Sequence, residues 1–168
     1  DVTVLADGLP GAGDPTRRAI LAALDSLAGR AGRDDIVFLM FAGHGSQQPA
    51  RIGDERNEPD GLDEIFLARD VGKWDGEIQA LPNAITDDEL GAAITKIRAR
   101  GAFVWAVFDN CHSGTITRAM PVPGERDRQV KPEALGIDPK VLQAARARAA
   151  AADKGERTRG GGPAHEDS

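Results

Sequence analysis

The sequence predicts an α/β fold, in which helices cover both faces of a mostly parallel sheet. Apolar runs without alternation occupy residues 36–42 and 103–108, as expected of strands that are buried on both faces. A helical pattern precedes each of these runs. Strands that alternate with helices in this way are typically parallel and joined by crossover helices. We therefore expect a three-layer α/β/α sandwich.

The N-terminal part of the chain is predicted to form a strand, a helix and a second strand. Residues 2–6 (VTVLA) are a short β-rich run that ends in a Gly- and Pro-rich turn. Asp14 and Pro15 suit the cap and first position of a helix over 15–29, where leucine and isoleucine recur at helical spacing. The run IVFLMFA at 36–42 then predicts a strand.

The middle of the chain is more polar. Residues 47–84 are rich in Pro, Gly and Asp, and we predict one strand there, over 64–69. The segment 85–101 predicts a helix, because Thr86 or Asp87 can cap it and acidic residues fill its first turn. A central strand is predicted over 103–108.

The character of the sequence changes after residue 117. Residues 118–168 contain few large apolar side chains and are rich in Arg, Lys, Ala and Gly, which is typical of a flexible linker that is partly helical or disordered. We therefore expect residues 1–117 to form the catalytic region and 118–168 to follow it as a linker.

Composition limits the classes of function. The 168 residues suffice for one domain, and 21 Lys and Arg against 27 Asp and Glu give a net charge of −6 in scattered clusters. This predicts no nucleic-acid partner and no membrane partner. No apolar run approaches the roughly 20 residues of a membrane span. The chain has one cysteine and cannot form an internal disulfide, so a reducing, cytoplasmic location is expected.

Two reactive side chains follow the ends of the two apolar strands. His44 comes just after the first strand and Cys111 just after the second. Neighbouring parallel strands would bring these ends to about 5 Å from each other. A thiolate nucleophile could then use the imidazole as its base. The N–H groups of Gly45 and Cys111 could bind an oxyanion, and glycines beside His44 would permit unusual backbone angles. His112 is a weaker base candidate, because adjacent residues point to opposite sides.

Each of these features also has a purely structural interpretation. Cys111 could be a small buried apolar residue, the Gly-His-Gly sequence an ordinary turn, and Asp109 the cap of a loop. The coincidence of the features at two comparable strand ends favours an active site.

Two motifs resemble a known family. FLMFAGHGSQ (38–47) resembles the histidine motif, and VFDNCHSGT (107–115) the cysteine motif, of caspase-like cysteine peptidases in the metacaspase and bacterial caspase-homologue (orthocaspase) branch. The resemblance covers about residues 2–117, the central part of the large, p20-like subunit. It implies a caspase-like fold, of which this chain is a part. It also implies a small-subunit-like segment of the same protein as a partner.

The resemblance also implies roles for individual residues. Cys111 would be the nucleophile and His44 the general base and acid, while the N–H groups of Gly45 and Cys111 would form the oxyanion hole. Asp109 matches the acid that selects Arg or Lys before the cut. A buried carboxylate there would suit a guanidinium. The expected substrates are therefore polypeptides with Arg or Lys before the scissile bond.

Calcium is a further expectation from the resemblance, although the chemistry itself requires no cofactor. Asp63, Asp87 and Asp88 match three positions that bind calcium in some metacaspases. Arg118 stands where calcium-binding members carry an acid, which argues against an intact site. Asp87 and Asp88 could also be acids that only cap a helix.

The linker suggests self-processing. A peptidase that cuts after basic residues could cut its own chain there, although a solvated linker explains the same pattern. The basic residues concerned are Arg118, Arg126, Arg128, Lys131, Lys140, Arg146 and Arg148.

Two other classes of function compete with a peptidase. A catalytically idle caspase-like interaction or sensing module is the main alternative to an enzyme. A nucleotide-binding domain is disfavoured, because GLPGAGD lacks the glycine spacing and the Lys-Ser/Thr ending of a phosphate loop.

Overall fold

The computed structural model describes residues 1–54, 57–109 and 128–159. In chain order the elements are α1 (Arg17–Arg30), β1 (Ile36–Ala42), β2 (Gly45–Pro49), β3 (Leu62–Leu67), β4 (Ala84–Thr86), α2 (Asp87–Ala99), β5 (Phe103–Asp109), a 3-10 helix (Pro132–Leu135) and α3 (Pro139–Arg159). None of the helices in these ranges combines the length and the apolar character of a membrane span.

The two apolar runs form a parallel pair of strands. β1 and β5 are hydrogen-bonded in a register that starts at Ile36 opposite Phe103 and ends at Ala42 opposite Asp109. This confirms the predicted α/β fold with parallel pairing. It also places the carboxyl ends of the two strands side by side.

Helices α1 and α2 form a common hydrophobic core with one face of the β1–β5 strand pair. Ile20 and Leu24 of α1 and Ile97 of α2 form a buried cluster with Val37 and Leu39 of β1. The alternate residues of the strands are exposed: Phe38 by 55%, Met40 by 58% and Trp105 by 61%. The described residues therefore supply the sheet and the helical layer on one of its faces.

The starts of both helices follow from side-chain capping. The Thr16 hydroxyl accepts a hydrogen bond from Ala19 N, so α1 is capped by Thr16 and not by Asp14 as predicted. At α2 the Thr86 hydroxyl accepts from Glu89 N, and the Glu89 carboxylate accepts from Thr86 N. This reciprocal pair is a capping box, so Thr86 is the cap of α2.

A second sheet was not predicted. Strands β2, β3 and β4 form an antiparallel sheet in the order β2-β3-β4. The sequence of β2 is GSQQP, which carries no strand pattern, yet all five of its residues are buried.

The predicted strand at 2–6 is wrong. Only Leu5 forms a bridge there, to Gly13, because no strand of the described chain pairs with this run.

The C-terminal part of the described chain packs on the second sheet. Ile137 and Leu142 are buried in a cluster with Leu62 and Ile65 of β3. Gly61 permits this packing, because its φ is +79° and a Cβ there would lie 2.5 Å from the Ala145 carbonyl oxygen of α3. A helix in this segment was expected and is present. The division of the chain at residue 117 stays a prediction.

Candidate active site

The ends of β1 and β5 bring two of the predicted site residues together. Asp109 is the last residue of β5, and its carbonyl oxygen accepts a hydrogen bond of 3.3 Å from Gly43 N. His44 follows Gly43 in the chain. Its carbonyl oxygen accepts from Leu67 N at 3.0 Å, which ties the histidine turn to the end of β3. The His44 side chain is exposed.

Close packing explains the glycine before His44. A Cβ on Gly43 would lie 2.9 Å from the Phe66 ring, so a larger residue would force this buried ring to shift. The expectation of unusual backbone angles is wrong, because neither Gly43 nor Gly45 has a positive φ. Glycine at 43 is thus favoured by this contact and not by backbone conformation.

A distant segment of the chain lies against the histidine turn. Arg128 O accepts a hydrogen bond of 3.2 Å from Gly45 N and lies 3.0 Å from His44 Nδ1. Two residues later, Val130 N donates to Gly45 O at 2.9 Å, and the Ser46 hydroxyl donates to Val130 O at 2.6 Å. Residues 128–130 therefore run beside the start of β2.

The side chain of Arg128 reaches Asp109. Its Nη1 lies 2.7 Å from Asp109 Oδ2 and 3.0 Å from the Asp109 carbonyl oxygen. The Asp109 side chain is 51% exposed, so it is not the buried carboxylate that was expected. Because water screens an exposed pair, this contact contributes only about 0–1 kcal/mol to stability. It does show that the carboxylate is open to a guanidinium.

The structure thus gathers His44, Gly45 and Asp109 at one place. Cys111, His112 and Arg118 lie outside the described residues. Sequence reasoning did not single out Ser46 or Arg128 as site residues. Arg128 stood among seven basic residues of the linker, and no local signal separates it from the others.

A group of carboxylates lies next to α2. Glu58, Asp63 and Asp87 each offer one oxygen, and these oxygens lie within 4.8 Å of one another. Gln48 Nε2 donates to Asp63 Oδ2 at 3.2 Å, which orients that carboxylate. Asp87 is the first residue of α2. Asp88 follows it but does not belong to the group.

Two of these carboxyl groups have strongly raised pKa values. Burial is the main cause for both, and repulsion by Asp87 adds to it. The pKa of Glu58 is raised to about 8 and that of Asp63 to about 6. Glu58 is only 9% exposed, and among the described residues no group donates a hydrogen bond to its carboxylate. Glu58 was not predicted, because the polar loop that holds it carries no periodic signal.

Comparisons with known proteins agree with these observations. The family described as "Metacaspase, peptidase C14 domain" matches residues 6–120. Metacaspase-1B of Aspergillus oryzae is 35% identical over 101 residues, which are 60% of this chain and 22% of that protein. Metacaspase-1 of Mycosarcoma maydis is 36% identical over 116 residues, which are 68% of this chain and 26% of that protein.

Metacaspase-1 of Saccharomyces cerevisiae is 35% identical over 102 residues, 61% of this chain and 21% of that protein. The chain therefore spans about a fifth to a quarter of the length of these curated relatives. A crystal structure of a Geobacter sulfurreducens protein superposes with a TM-score of 0.52 at 29% identity. It covers 87% of this chain and 46% of the solved one.

Proposed function

The chain belongs to the metacaspase family of peptidase C14 domains, and from this premise we propose that it carries the catalytic residues of a cysteine endopeptidase that cuts polypeptides after Arg or Lys. The observation that carries the proposal is the register of β1 and β5, which ends with Ala42 opposite Asp109. This register puts His44 beside Asp109, and Cys111 follows Asp109 by two residues.

The proposed mechanism uses a Cys-His dyad. The Cys111 thiolate attacks the carbonyl carbon of the scissile bond, and His44 gives a proton to the leaving amine. Water then hydrolyses the thioester, with His44 as its base. The N–H groups of Gly45 and Cys111 stabilise the negative oxygen of the tetrahedral intermediate. The hydrogen bond from Gly45 N to a peptide carbonyl oxygen, that of Arg128, supports this role.

Asp109 is proposed to select the basic residue before the cut. Its carboxylate is half exposed and contacts the guanidinium of Arg128 at 2.7 Å. A substrate arginine can form the same charge-assisted hydrogen bond. A lysine can do so through its ammonium group, although without a second parallel hydrogen bond.

The dyad is tested by His44→Ala with His112→Ala as the matched control. We expect His44→Ala to lower kcat/KM for an arginine-ending fluorogenic peptide by about 1,000-fold or more, because the thiol loses its base. The rate at which iodoacetamide labels Cys111 should fall as well. His112→Ala should keep both. Slow, unselective labelling of Cys111 in the wild type, without turnover, would instead indicate the idle interaction module.

We also propose that Glu58, Asp63 and Asp87 bind calcium. Carboxylate oxygens that lie close together are the ligands that this ion takes, and the buried Glu58 carboxylate accepts no hydrogen bond from the residues that the structure describes. Glu58 would supply a third carboxylate. It would thereby replace the acid that calcium-binding members carry at the position of Arg118. Bound calcium would supply positive charge that holds the loop before β3 against the start of α2, and it takes no part in bond cleavage.

The calcium proposal is tested by binding and not by turnover. Titration calorimetry of the wild type with calcium chloride should show one binding site, and calcium should raise the melting temperature. Glu58→Gln should abolish both effects. The control Glu77→Gln removes an exposed acid outside the group and should leave both intact. Equal calcium binding by all three proteins would contradict the proposal.

Self-processing is proposed as a further activity of the same site. The basic residues of the linker lie in the same chain as the dyad, so they are present at a high effective concentration. The contact between Arg128 and Asp109 supports the hypothesis.

A small-subunit-like segment of the same protein is the proposed partner that completes the substrate cleft.

A further inference from the structure

We propose that Gln48 is the positioning residue for the three carboxylates of Glu58, Asp63 and Asp87, and that a cation binds there at full affinity only while the Gln48 amide holds Asp63. The inference rests on the proposed calcium site. It adds a residue outside the proposed ligands that acts through one of them.

The Gln48 side chain is almost completely buried and bridges two parts of the chain. The residue is 4% exposed. Its Nε2 donates to Asp63 Oδ2 at 3.2 Å, and its Oε1 accepts from Leu81 N at 3.0 Å. Both ends of this buried amide therefore have a hydrogen-bond partner.

The contact with Leu81 determines which end of the amide faces Asp63. A backbone N–H can only donate, so the amide atom beside Leu81 N must be the oxygen. The amide nitrogen then faces Asp63, whose ionised carboxylate can only accept. Turning the amide over would place two donors together at Leu81 and two acceptors together at Asp63. The backbone of Leu81 thus keeps the donor on the carboxylate.

Gln48 also connects the segments that carry two of the carboxylates. It lies opposite Asp63 in the register of β2 and β3. Its other partner, Leu81, lies in the turn before β4, where Ala84 N donates to Leu81 O at 3.2 Å. Strand β4 leads directly into α2, of which Asp87 is the first residue. One side chain therefore joins the strand of Asp63 to the segment that leads to Asp87.

The loop of Glu58 is attached to the same end of β2. Ala50 follows this strand, and its N donates to Gly61 O at 2.9 Å. Gly61 N in turn donates to Glu58 O at 2.9 Å. All three carboxylates thus come from segments that contact residues 48–50. Gln48 is the residue of these three whose side chain bonds directly to a carboxylate.

A hydrogen bond behind a ligand raises the affinity for a cation by orienting that ligand. Without the amide, the Asp63 carboxylate could rotate in the free protein, and cation binding would have to order it. Loss of such an outer partner typically lowers metal affinity by about 10–100-fold. We therefore expect Gln48 to affect binding as well as stability.

Gln47 offers a matched control on the same strand. It is 6% exposed, and its Nε2 donates to Glu64 Oε1 at 2.9 Å. Glu64 is not one of the three grouped carboxylates. Replacing either glutamine removes a buried amide and its hydrogen bond to a carboxylate, but only the loss of Gln48 releases a proposed ligand.

Titration calorimetry with calcium chloride compares the wild type with Gln48→Met and Gln47→Met. Methionine keeps the length of the side chain but cannot donate a hydrogen bond. We expect Gln48→Met to raise the Kd for calcium by about 10-fold or more, whereas Gln47→Met should keep the wild-type Kd. The melting temperatures of both variants in EGTA should fall, because each loses a buried hydrogen bond.

Two results of this titration overturn the inference. A lower melting temperature of Gln48→Met with a wild-type Kd would mean that Gln48 only stabilises the fold. An equal rise in Kd in both variants would mean that any buried amide of β2 has the same effect.

A shorter amide covers the case in which Gln48→Met does not fold. Gln48→Asn stays polar but is one methylene too short to reach both Leu81 N and Asp63. It should raise the Kd for calcium in the same direction, with Gln47→Asn as its control. A wild-type Kd in Gln48→Asn overturns the inference.

The wild-type titration distinguishes failure of the inference from failure of the proposed calcium site. If the wild type binds calcium and the Gln48 variants bind it equally tightly, only the inference fails. If the wild type binds no calcium, the proposed site fails and the inference fails with it.

Discussion

Replacing Glu58 by Gln should remove a pH-dependent loss of stability. The pKa of Glu58 is raised from 4.5 to about 8, chiefly by burial. The folded state therefore holds this proton more tightly than the unfolded state. The associated stability is fully present below pH 4.5 and is lost as the pH rises through 8. Without calcium, the wild type should thus become less stable over this range.

The size of the loss follows from the two pKa values. The difference of 8 − 4.5 is about 3.5 pH units, and each unit corresponds to about 1.4 kcal/mol, so the upper limit is about 5 kcal/mol. Glu58 lies in an irregular loop that can open and let water reach the carboxylate. We therefore expect a loss of about 2–3 kcal/mol between pH 4.5 and 8. Asp63 has a pKa of about 6 and contributes to the lower part of the same range in both proteins.

Urea denaturation in the presence of EGTA measures this effect. The free energy of unfolding of Glu58→Gln should exceed that of the wild type by about 2 kcal/mol at pH 8 and approach it below pH 5. Glu77→Gln, which changes an exposed acid, should follow the wild type at every pH. If Glu58→Gln lost as much stability as the wild type between pH 6 and 8, the burial of the Glu58 carboxyl group would be refuted as the cause of the loss.

Further predictions concern the packing that holds the site. Gly61→Ala should lower the free energy of unfolding by about 2–4 kcal/mol, because it combines a positive φ with a contact of 2.5 Å to the α3 backbone. Gly91→Ala, in an open position of α2, should raise it by about 0.5–1 kcal/mol; thermal denaturation that ranked the two variants the other way would contradict the packing. Glu89→Gln should cost about 1 kcal/mol at pH 7, because Glu89 caps α2 and pairs with Arg17. The hydrogen bond with Arg17 lowers the Glu89 pKa, so the difference should shrink as the pH falls below 4.5, and a difference independent of pH would argue against the pair.

Local signals predicted several of the elements that surround the proposed dyad. The start of α2 follows from the side chains of Thr86 and Glu89, three residues apart. Strand β5 follows from an unbroken apolar run, which is typical of a strand, although one face of β5 is exposed among the described residues. These signals were sufficient to place His44 and Asp109 at adjacent strand ends.

Features that depend on distant contacts were missed. β2 is polar, and it is buried because α3 and β3 pack against it, which no pattern within GSQQP can indicate. Glu58 joins Asp63 and Asp87 only after β3 and α2 have been brought together. Arg128 reaches Asp109 across 19 positions of sequence, so its contact could not be predicted from either residue's neighbours.

The most direct test of the account compares kcat/KM for two peptides that differ only in arginine or citrulline before the cut. Citrulline keeps the shape of arginine but carries no charge. The wild type should prefer arginine by about 100-fold, and Asp109→Asn should lose most of this preference. Cys111→Ala should cleave neither peptide. Turnover by Cys111→Ala, or an unchanged preference in Asp109→Asn, would contradict the account.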